Sequence, residues 1–185
     1  MKRLVAVSLF VSTLWVNLCA AGSWIPAPTG SAAGLVQRLE RAHWIAAGPK
    51  SSARVVYVFT DPNCPFCHDL WKEMKTARAP EVQIRYLLVA VINAQSRGKD
   101  AAILESADPA AALESNERKF DDGGIAASST VRPATAEIIA TNEALMQALG
   151  IYGTPPLVYT DEHNELKVFA GMPDAGPLRQ IVGKR

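Results

Sequence analysis

The amino-acid sequence predicts an α/β domain that has a mixed central sheet, a helical insertion and a linker helix in front of it. Residues 55–59 form a β-branched and aromatic run, which is typical of a strand buried on both faces. A helical pattern and a second apolar run at 82–92 follow, and they predict a β-α-β unit with a right-handed crossover. A late hairpin pattern predicts that the sheet also contains antiparallel strands.

Residues 1–21 have the pattern of a secretory leader. Lys2 and Arg3 precede an apolar stretch, and small residues including Cys19 follow it. The apolar stretch is shorter than the roughly 20 residues that a membrane-spanning helix requires. We therefore expect a cleaved signal peptide and export to the periplasm, with Cys64 and Cys67 as the cysteines that are left.

Composition limits the class of protein. Of the 185 residues, 49% are hydrophobic and the formal net charge is +1, which fits one globular domain and argues against nucleic-acid binding. Residues 22–33 are rich in Pro, Gly and Ser and are predicted to be a flexible lead-in. One domain is then predicted over 34–185, with its helical insertion at about 97–150.

One helix is predicted ahead of the sheet, over residues 35–47. Its apolar side chains recur at helical spacing behind the candidate N-cap Ser31, and the pattern stops at Gly48-Pro49. A second helix is predicted to start at Pro65, because a proline at the first helical position loses no hydrogen bond. Cys64 therefore precedes the first turn of that helix.

The second half of the chain is predicted to be mainly helical before it returns to the sheet. Gly123-Gly124 interrupts the helical pattern, and a turn at 161–165 joins two short apolar runs. The predicted helices cover 101–107, 109–120, 135–149 and 177–182, and the predicted hairpin strands cover 157–160 and 166–170.

Three interpretations of Cys64 and Cys67 are open: a structural disulfide, a metal site and a working dithiol. A disulfide between them closes a loop too short to restrict the unfolded chain, so it would stabilise little. A zinc site requires two more ligands, which His43, His68 and His163 do not supply at a suitable spacing. We expect no metal and no cofactor, and the sequence favours the dithiol.

The predicted helix gives the two thiols different roles. Unpaired N–H groups and the helix dipole lower the pKa of a cysteine at this position from about 8.5 to between about 3.5 and 7.5. Cys64 is therefore predicted to attack disulfides, and the shielded Cys67 to resolve the mixed disulfide. Thr154-Pro155, at the start of a predicted strand, is a candidate cis bond, although most X-Pro bonds are trans.

The motif F-T-D-P-N-C-P-F-C-H at 59–68 and G-T-P at 153–155 together resemble the thioredoxin-fold disulfide oxidoreductases of the bacterial periplasm, in particular the DsbC and DsbG branch. The resemblance extends over roughly 35–183. It implies a thioredoxin-like fold with a redox-active Cys64-Cys67 disulfide. It also implies that Thr154-Pro155 is a cis-proline loop that binds the client backbone, and that Pro65 and Phe66 influence the reduction potential.

Two departures from the family's pattern bear on function. DsbC and DsbG carry an N-terminal dimerisation domain, whereas here only residues 22–33 separate the predicted leader from the linker helix, so we expect a monomer. Thioredoxin and DsbA place a buried acid six residues before the first cysteine, and here that position is Val58. The apolar residue agrees with the isomerase branch.

The predicted function is an exported thiol:disulfide oxidoreductase that reduces or isomerises protein disulfides, or reduces oxidised cysteines. Its expected partners are cysteine-containing exported clients and a membrane redox protein, a DsbD-type reductase in preference to a DsbB-type oxidase. Two alternatives remain open. One is a DsbA-like dithiol oxidase, and the other is a non-catalytic chaperone or assembly module of an export or conjugation apparatus.

Several side chains near the motif are predicted to have structural or minor roles and not catalytic ones. Asp61 is predicted to accept a hydrogen bond within its turn and to raise the thiol pKa modestly. His68 is predicted to be solvated or weakly tuning, without an essential role, because thiol exchange needs no separate base. Trp71 and Met74 lie at helical spacing from Cys67 and are predicted to be core residues.

Overall fold

The computed structural model describes residues 22–28 and 32–184, so the predicted leader over 1–21 and the candidate N-cap Ser31 lie outside the described residues. A six-stranded sheet lies within the described part of the chain. Its strands are β1 (Ser23–Ile25), β2 (Ile45–Ala47), β3 (Arg54–Thr60), β4 (Val82–Leu88), β5 (Pro156–Thr160) and β6 (Leu166–Ala170). The α-helices are α1 (Ala32–Arg41), α2 (Pro65–Ala77), α3 (Ser96–Leu104), α4 (Pro109–Arg118), α5 (Pro133–Ala148) and α6 (Ala175–Val182), and Phe120–Asp122 form a 3₁₀ turn.

Strand β3 lies inside the sheet, whose strand order is β1-β6-β5-β3-β4-β2. It pairs parallel with β4 and antiparallel with β5, so the predicted mixed sheet is confirmed. Residues 56–60 of β3 are buried, as expected for a strand that is covered on both faces. Helix α2 follows β3 directly and begins at Pro65, as predicted. Cys64 therefore lies beyond the carboxyl end of β3.

The sheet divides the apolar core into two layers. On one face, α2, α4 and α6 contribute side chains such as Leu70, Leu113 and Leu178. On the other face, α1 and α5 contribute Leu39 and Leu145. Burial of one such leucine stabilises a fold by about 1.5–3 kcal/mol, so both layers hold the helices against the sheet.

The predicted linker helix over 35–47 is wrong at its C-terminal end. Helix α1 ends at Arg41, and Ile45–Ala47 form the edge strand β2, which pairs antiparallel with β4. Ile45 continues the helical spacing, but a short strand buries it equally well. Successive side chains of a strand point to opposite faces, so Ile45 is buried while its neighbour Ala46 faces solvent. The ladder to β4 supplies backbone hydrogen bonds that helical periodicity does not reveal.

The predicted flexible lead-in over 22–33 is wrong for residues 23–25. These residues form strand β1, which pairs antiparallel with β6 at the other edge of the sheet. The ring of Trp24 packs edge-on against Phe169, with 5.0 Å between the ring centroids. Gly22 N–H also donates to the carbonyl of Met172 at 3.0 Å. Partners about 145 positions away therefore order a segment whose composition alone indicates a linker.

The helical insertion and the hairpin are confirmed, with shifted boundaries. Strand β4 ends at Leu88, and α3 begins at Ser96, five residues before the predicted helix. Gly123 and Gly124 break the helical pattern with φ angles of 92° and 74°, which favour glycine. Within the described part of the chain, no helix has the length and apolar character needed to cross a bilayer.

Candidate active site

Cys64 is the N-cap of α2, as the sequence predicts. Its Sγ accepts a hydrogen bond from the backbone N–H of Cys67 at 3.2 Å, and its own N–H donates to the carbonyl of Asp61 at 2.9 Å. Pro65 occupies the first helical position. Both cysteines are free thiols, and both are buried.

The two thiols have different proton affinities. The pKa of Cys64 is lowered from 9.0 to about 7, chiefly by a hydrogen bond with the Cys67 side chain and further by Thr154 and the Cys67 N–H, while burial and the Asp61 charge oppose the change. The pKa of Cys67 is raised well above its ordinary value by burial and then by its contact with Cys64. Cys64 is therefore the better nucleophile at neutral pH.

The loop before β5 lies against Cys64. The Thr154-Pro155 peptide bond is cis, and Cys64 Sγ lies 3.5 Å from the carbonyl oxygen of Thr154. Gly171 N–H donates to the carbonyl of Pro155 at 2.9 Å and so joins the loop to the end of β6. The fold thus brings Thr154 and Pro155 to the dithiol, and their part in client binding stays a prediction.

Asp61 does more than form its predicted turn bond. Its Oδ1 accepts from Asn63 N–H at 2.9 Å, as expected, and also from Ser96 Oγ at 2.8 Å. Its Oδ2 accepts from the N–H groups of Val91 and Ile92 at 2.8 and 2.9 Å. The buried carboxylate therefore ties the loop after β4 to the turn that carries Cys64. No short-range sequence signal identifies these partners, which lie 30 to 35 positions away.

Of the two predicted interpretations of His68, solvated or weakly tuning, the solvated one is wrong, and the weakly tuning one stays a prediction. The residue is 7% exposed, its Nδ1 lies 3.1 Å from Glu117 Oε2, and its ring stacks on Phe120 at 4.5 Å between centroids. Burial is also the main cause that raises the pKa of Glu117, and the hydrogen bond with His68 opposes it. Helix α4 of the insertion covers this face of α2. The periodicity of α2 alone could not show that another helix buries His68.

Exposed apolar side chains lie on three segments that carry or contact the active-site motif. Phe66 is 57% exposed next to the motif, Tyr152 is 82% exposed ahead of Thr154, and Val91 and Ile92 are exposed on the loop that Asp61 holds. We call these four exposed side chains the apolar rim. A rim of this kind suits contact with apolar segments of another protein.

The remaining predictions near the motif concern packing and metal binding. Met74 is buried in the core beneath α2, and Trp71 packs against the same cluster while partly exposed. Among residues 22–28 and 32–184, no three His, Cys, Asp or Glu side chains are grouped in a way that could hold a metal ion.

The lowered pKa of Cys64 leads to a pH prediction. Alkylation of the reduced protein should rise with pH and reach half its maximum rate near pH 7, because the thiolate is the reactive form. Because the thiolate is favoured in the folded state, ionisation of Cys64 stabilises the folded reduced protein. This stabilisation is fully present above pH 9 and is lost as the pH falls through about 7. Thiolate absorbance against pH measures the midpoint, and a midpoint near 9 would contradict the assigned geometry.

Comparisons with known proteins agree with this geometry. Residues 44–184 match the family model for a thioredoxin-like domain. The chain is 33% identical to the thiol:disulfide interchange protein DsbG of Pseudomonas aeruginosa and 35% identical to DsbG of Escherichia coli K12, in each case over 80% of this chain. It spans 59% and 60% of the length of these two relatives.

Solved structures show the same fold at lower identity. Proteus mirabilis ScsC in a transitional conformation aligns with a TM-score of 0.65 at 23% identity, over 85% of this chain and 79% of that one. The thiol-disulfide exchange protein α-DsbA2 from Wolbachia pipientis aligns with a TM-score of 0.61 at 15% identity, over 80% and 90% of the two chains. The predicted thioredoxin-like fold is confirmed, and the chain belongs to the thioredoxin-like domain family as a DsbG- and DsbC-like member.

Proposed function

We propose that residues 22–185, freed from a leader at 1–21, act as a periplasmic thiol:disulfide oxidoreductase that reduces or isomerises disulfides in exported proteins. One observation carries the proposal: a cysteine thiol with a lowered pKa caps a helix and faces a cis-proline loop. The similarity to DsbG and DsbC supports the same class of reaction.

The exchange would proceed in two steps. The Cys64 thiolate attacks one sulfur of a client disulfide, so the client S–S bond breaks, a mixed disulfide forms, and the released client thiolate takes up a proton. Cys67 then loses its proton and attacks Cys64 Sγ, which expels the second client sulfur as a thiolate. The client gains two electrons, and the Cys64-Cys67 disulfide forms.

Isomerisation uses the same first step. The released client thiolate attacks a different client disulfide, and attack by a client thiol on the mixed disulfide then returns Cys64 as a thiolate, so no net oxidation occurs. The reductive route leaves an oxidised Cys64-Cys67 pair. A DsbD-type membrane reductase would restore the dithiol, and cysteine-containing exported proteins would be the clients.

The Cys64 pKa of about 7 favours this direction over a DsbA-like oxidase. A strongly oxidising dithiol owes its potential to a stabilised thiolate with a pKa near 3.5, whereas a value near 7 accompanies reducing pairs such as thioredoxin. The larger the drop in thiol pKa, the more the reduced form is stabilised. The smaller drop here stabilises the reduced form less.

The reduction potential tests the proposal. We expect equilibration with glutathione buffers to give a Cys64-Cys67 potential clearly more negative than the roughly −120 mV of a strong periplasmic oxidant. The fraction of free thiols, measured by alkylation and mass spectrometry, reports the equilibrium. A potential at or above −120 mV, the value of that oxidant, would instead assign the oxidase function.

A further inference from the structure

Two consecutive residues of the insertion contact both flanks of the active-site motif. Asn116 Nδ2 donates to the carbonyl of Pro62 at 3.1 Å, and Glu117 Oε2 lies 3.1 Å from His68 Nδ1. Pro62 lies two residues before Cys64, and His68 directly follows Cys67. Both side chains of α4 are buried, with Asn116 0% and Glu117 3% exposed. These contacts therefore fix the two ends of the segment that carries the thiols.

We propose that Asn116 and Glu117 are positioning residues that hold the first turn of α2 in the geometry that ionises Cys64. The inference rests on the proposed function. Cys64 Sγ receives the Cys67 N–H only while residues 64–67 keep one tight helical turn. A displacement of either flank lengthens this hydrogen bond and weakens the electrostatic field of the α2 dipole at the Cys64 sulfur.

Other contacts restrain the two positioning residues themselves. Asn116 Oδ1 accepts from Ile125 N–H at 3.2 Å, and a Cβ at Gly124 would overlap the same oxygen, so the loop after α4 closes over the amide. Lys99 Nζ donates to the carbonyl of Gly123 at 2.6 Å. The insertion thus presents Asn116 in one orientation, and the donor and acceptor of its amide are both used.

The contact with His68 combines a hydrogen bond and ring stacking. Glu117 Oε1 lies 3.3 Å from Asn116 Nδ2, so the two side chains also support each other. The Phe120 ring stacks on the His68 ring at an interplanar angle of 9°. Loss of one partner of a buried hydrogen-bonded pair leaves the other partner unsatisfied, whereas replacement of both by apolar residues is often nearly neutral for stability.

The test compares Asn116→Ala and Glu117→Gln with a matched control, Glu114→Gln. Glu114 lies on the same helix and pairs with Lys75 of α2 at 2.9 Å, but this ion pair is exposed and distant from the motif. We expect both test variants to raise the Cys64 midpoint by about half a pH unit or more. Alkylation well below the midpoint should then slow by about threefold, since the thiolate fraction falls tenfold per unit.

The double variant His68→Leu with Glu117→Leu separates positioning from stability. We expect it to keep the wild-type free energy of unfolding and still to raise the Cys64 midpoint. An unchanged midpoint in the double variant and in both single variants overturns the inference, and so does an equal shift in Glu114→Gln. Failure of the wild-type protein itself to exchange disulfides would instead overturn the proposed function.

Discussion

Replacement of Cys64 by serine should lower the rate of disulfide exchange by at least about a hundredfold, to the uncatalysed level. The thiolate is the nucleophile, and a serine hydroxyl does not ionise near neutral pH. The hydroxyl can still accept the Cys67 N–H, so the helix cap is kept and stability should change by no more than about 1 kcal/mol. Reduction of a model protein disulfide, followed by turbidity, measures the rate.

The same variant separates catalysis from the chaperone alternative. A non-catalytic assembly module would need the fold and the apolar rim but not the thiol, so Cys64→Ser would leave client solubility and assembly intact. A variant that loses exchange and client maturation together supports the dithiol. Full client maturation with Cys64→Ser would show that the redox interpretation is wrong. Glu114→Gln serves as a control, because its side chain is exposed and remote from Cys64.

Local patterns predicted the part of the fold that carries the thiols. The apolar run of β3, the proline at the start of α2 and the second strand each leave a signal within a few residues. The edge strands β1 and β2 have only three residues each, too few for a periodic pattern. They form because the backbone N–H and C=O groups of β6 and β4 pair with them, and the position of β6 and β4 depends on the tertiary structure.

In the candidate site, too, local patterns identify some residues, whereas others depend on contacts between distant parts of the chain. Motif spacing and the resemblance identify Cys64, Cys67 and Thr154-Pro155 as candidate site residues. No local pattern indicates the contacts of Asn116 and Glu117, because these residues meet Pro62 and His68 from 54 and 49 positions away. Their sequence surroundings are those of an ordinary polar helix face. Their burial becomes visible only when α4 is placed against α2.

Replacement of Cys67 by alanine should trap mixed disulfides. Alanine keeps the backbone N–H that Cys64 Sγ accepts, but it removes the side-chain hydrogen bond that is the main cause of the lowered pKa. The first attack should therefore slow severalfold at neutral pH, while the resolving step is lost. Because release then depends on outside thiols, adducts should persist at least about tenfold longer than in the wild-type protein.

The trapped species report the direction of electron flow. Expression of Cys67→Ala in the periplasm, followed by non-reducing separation and mass spectrometry, should recover exported cysteine-containing clients and a DsbD-type reductase. Capture of a DsbB-type oxidase instead would contradict the reductase assignment, since a dithiol that donates to a quinone-linked oxidase accepts electrons from its clients. The double variant Cys64→Ser with Cys67→Ala should capture neither. Adducts that persist in it would not be disulfides of Cys64 or Cys67, and the species trapped by Cys67→Ala would then not report electron flow through Cys64.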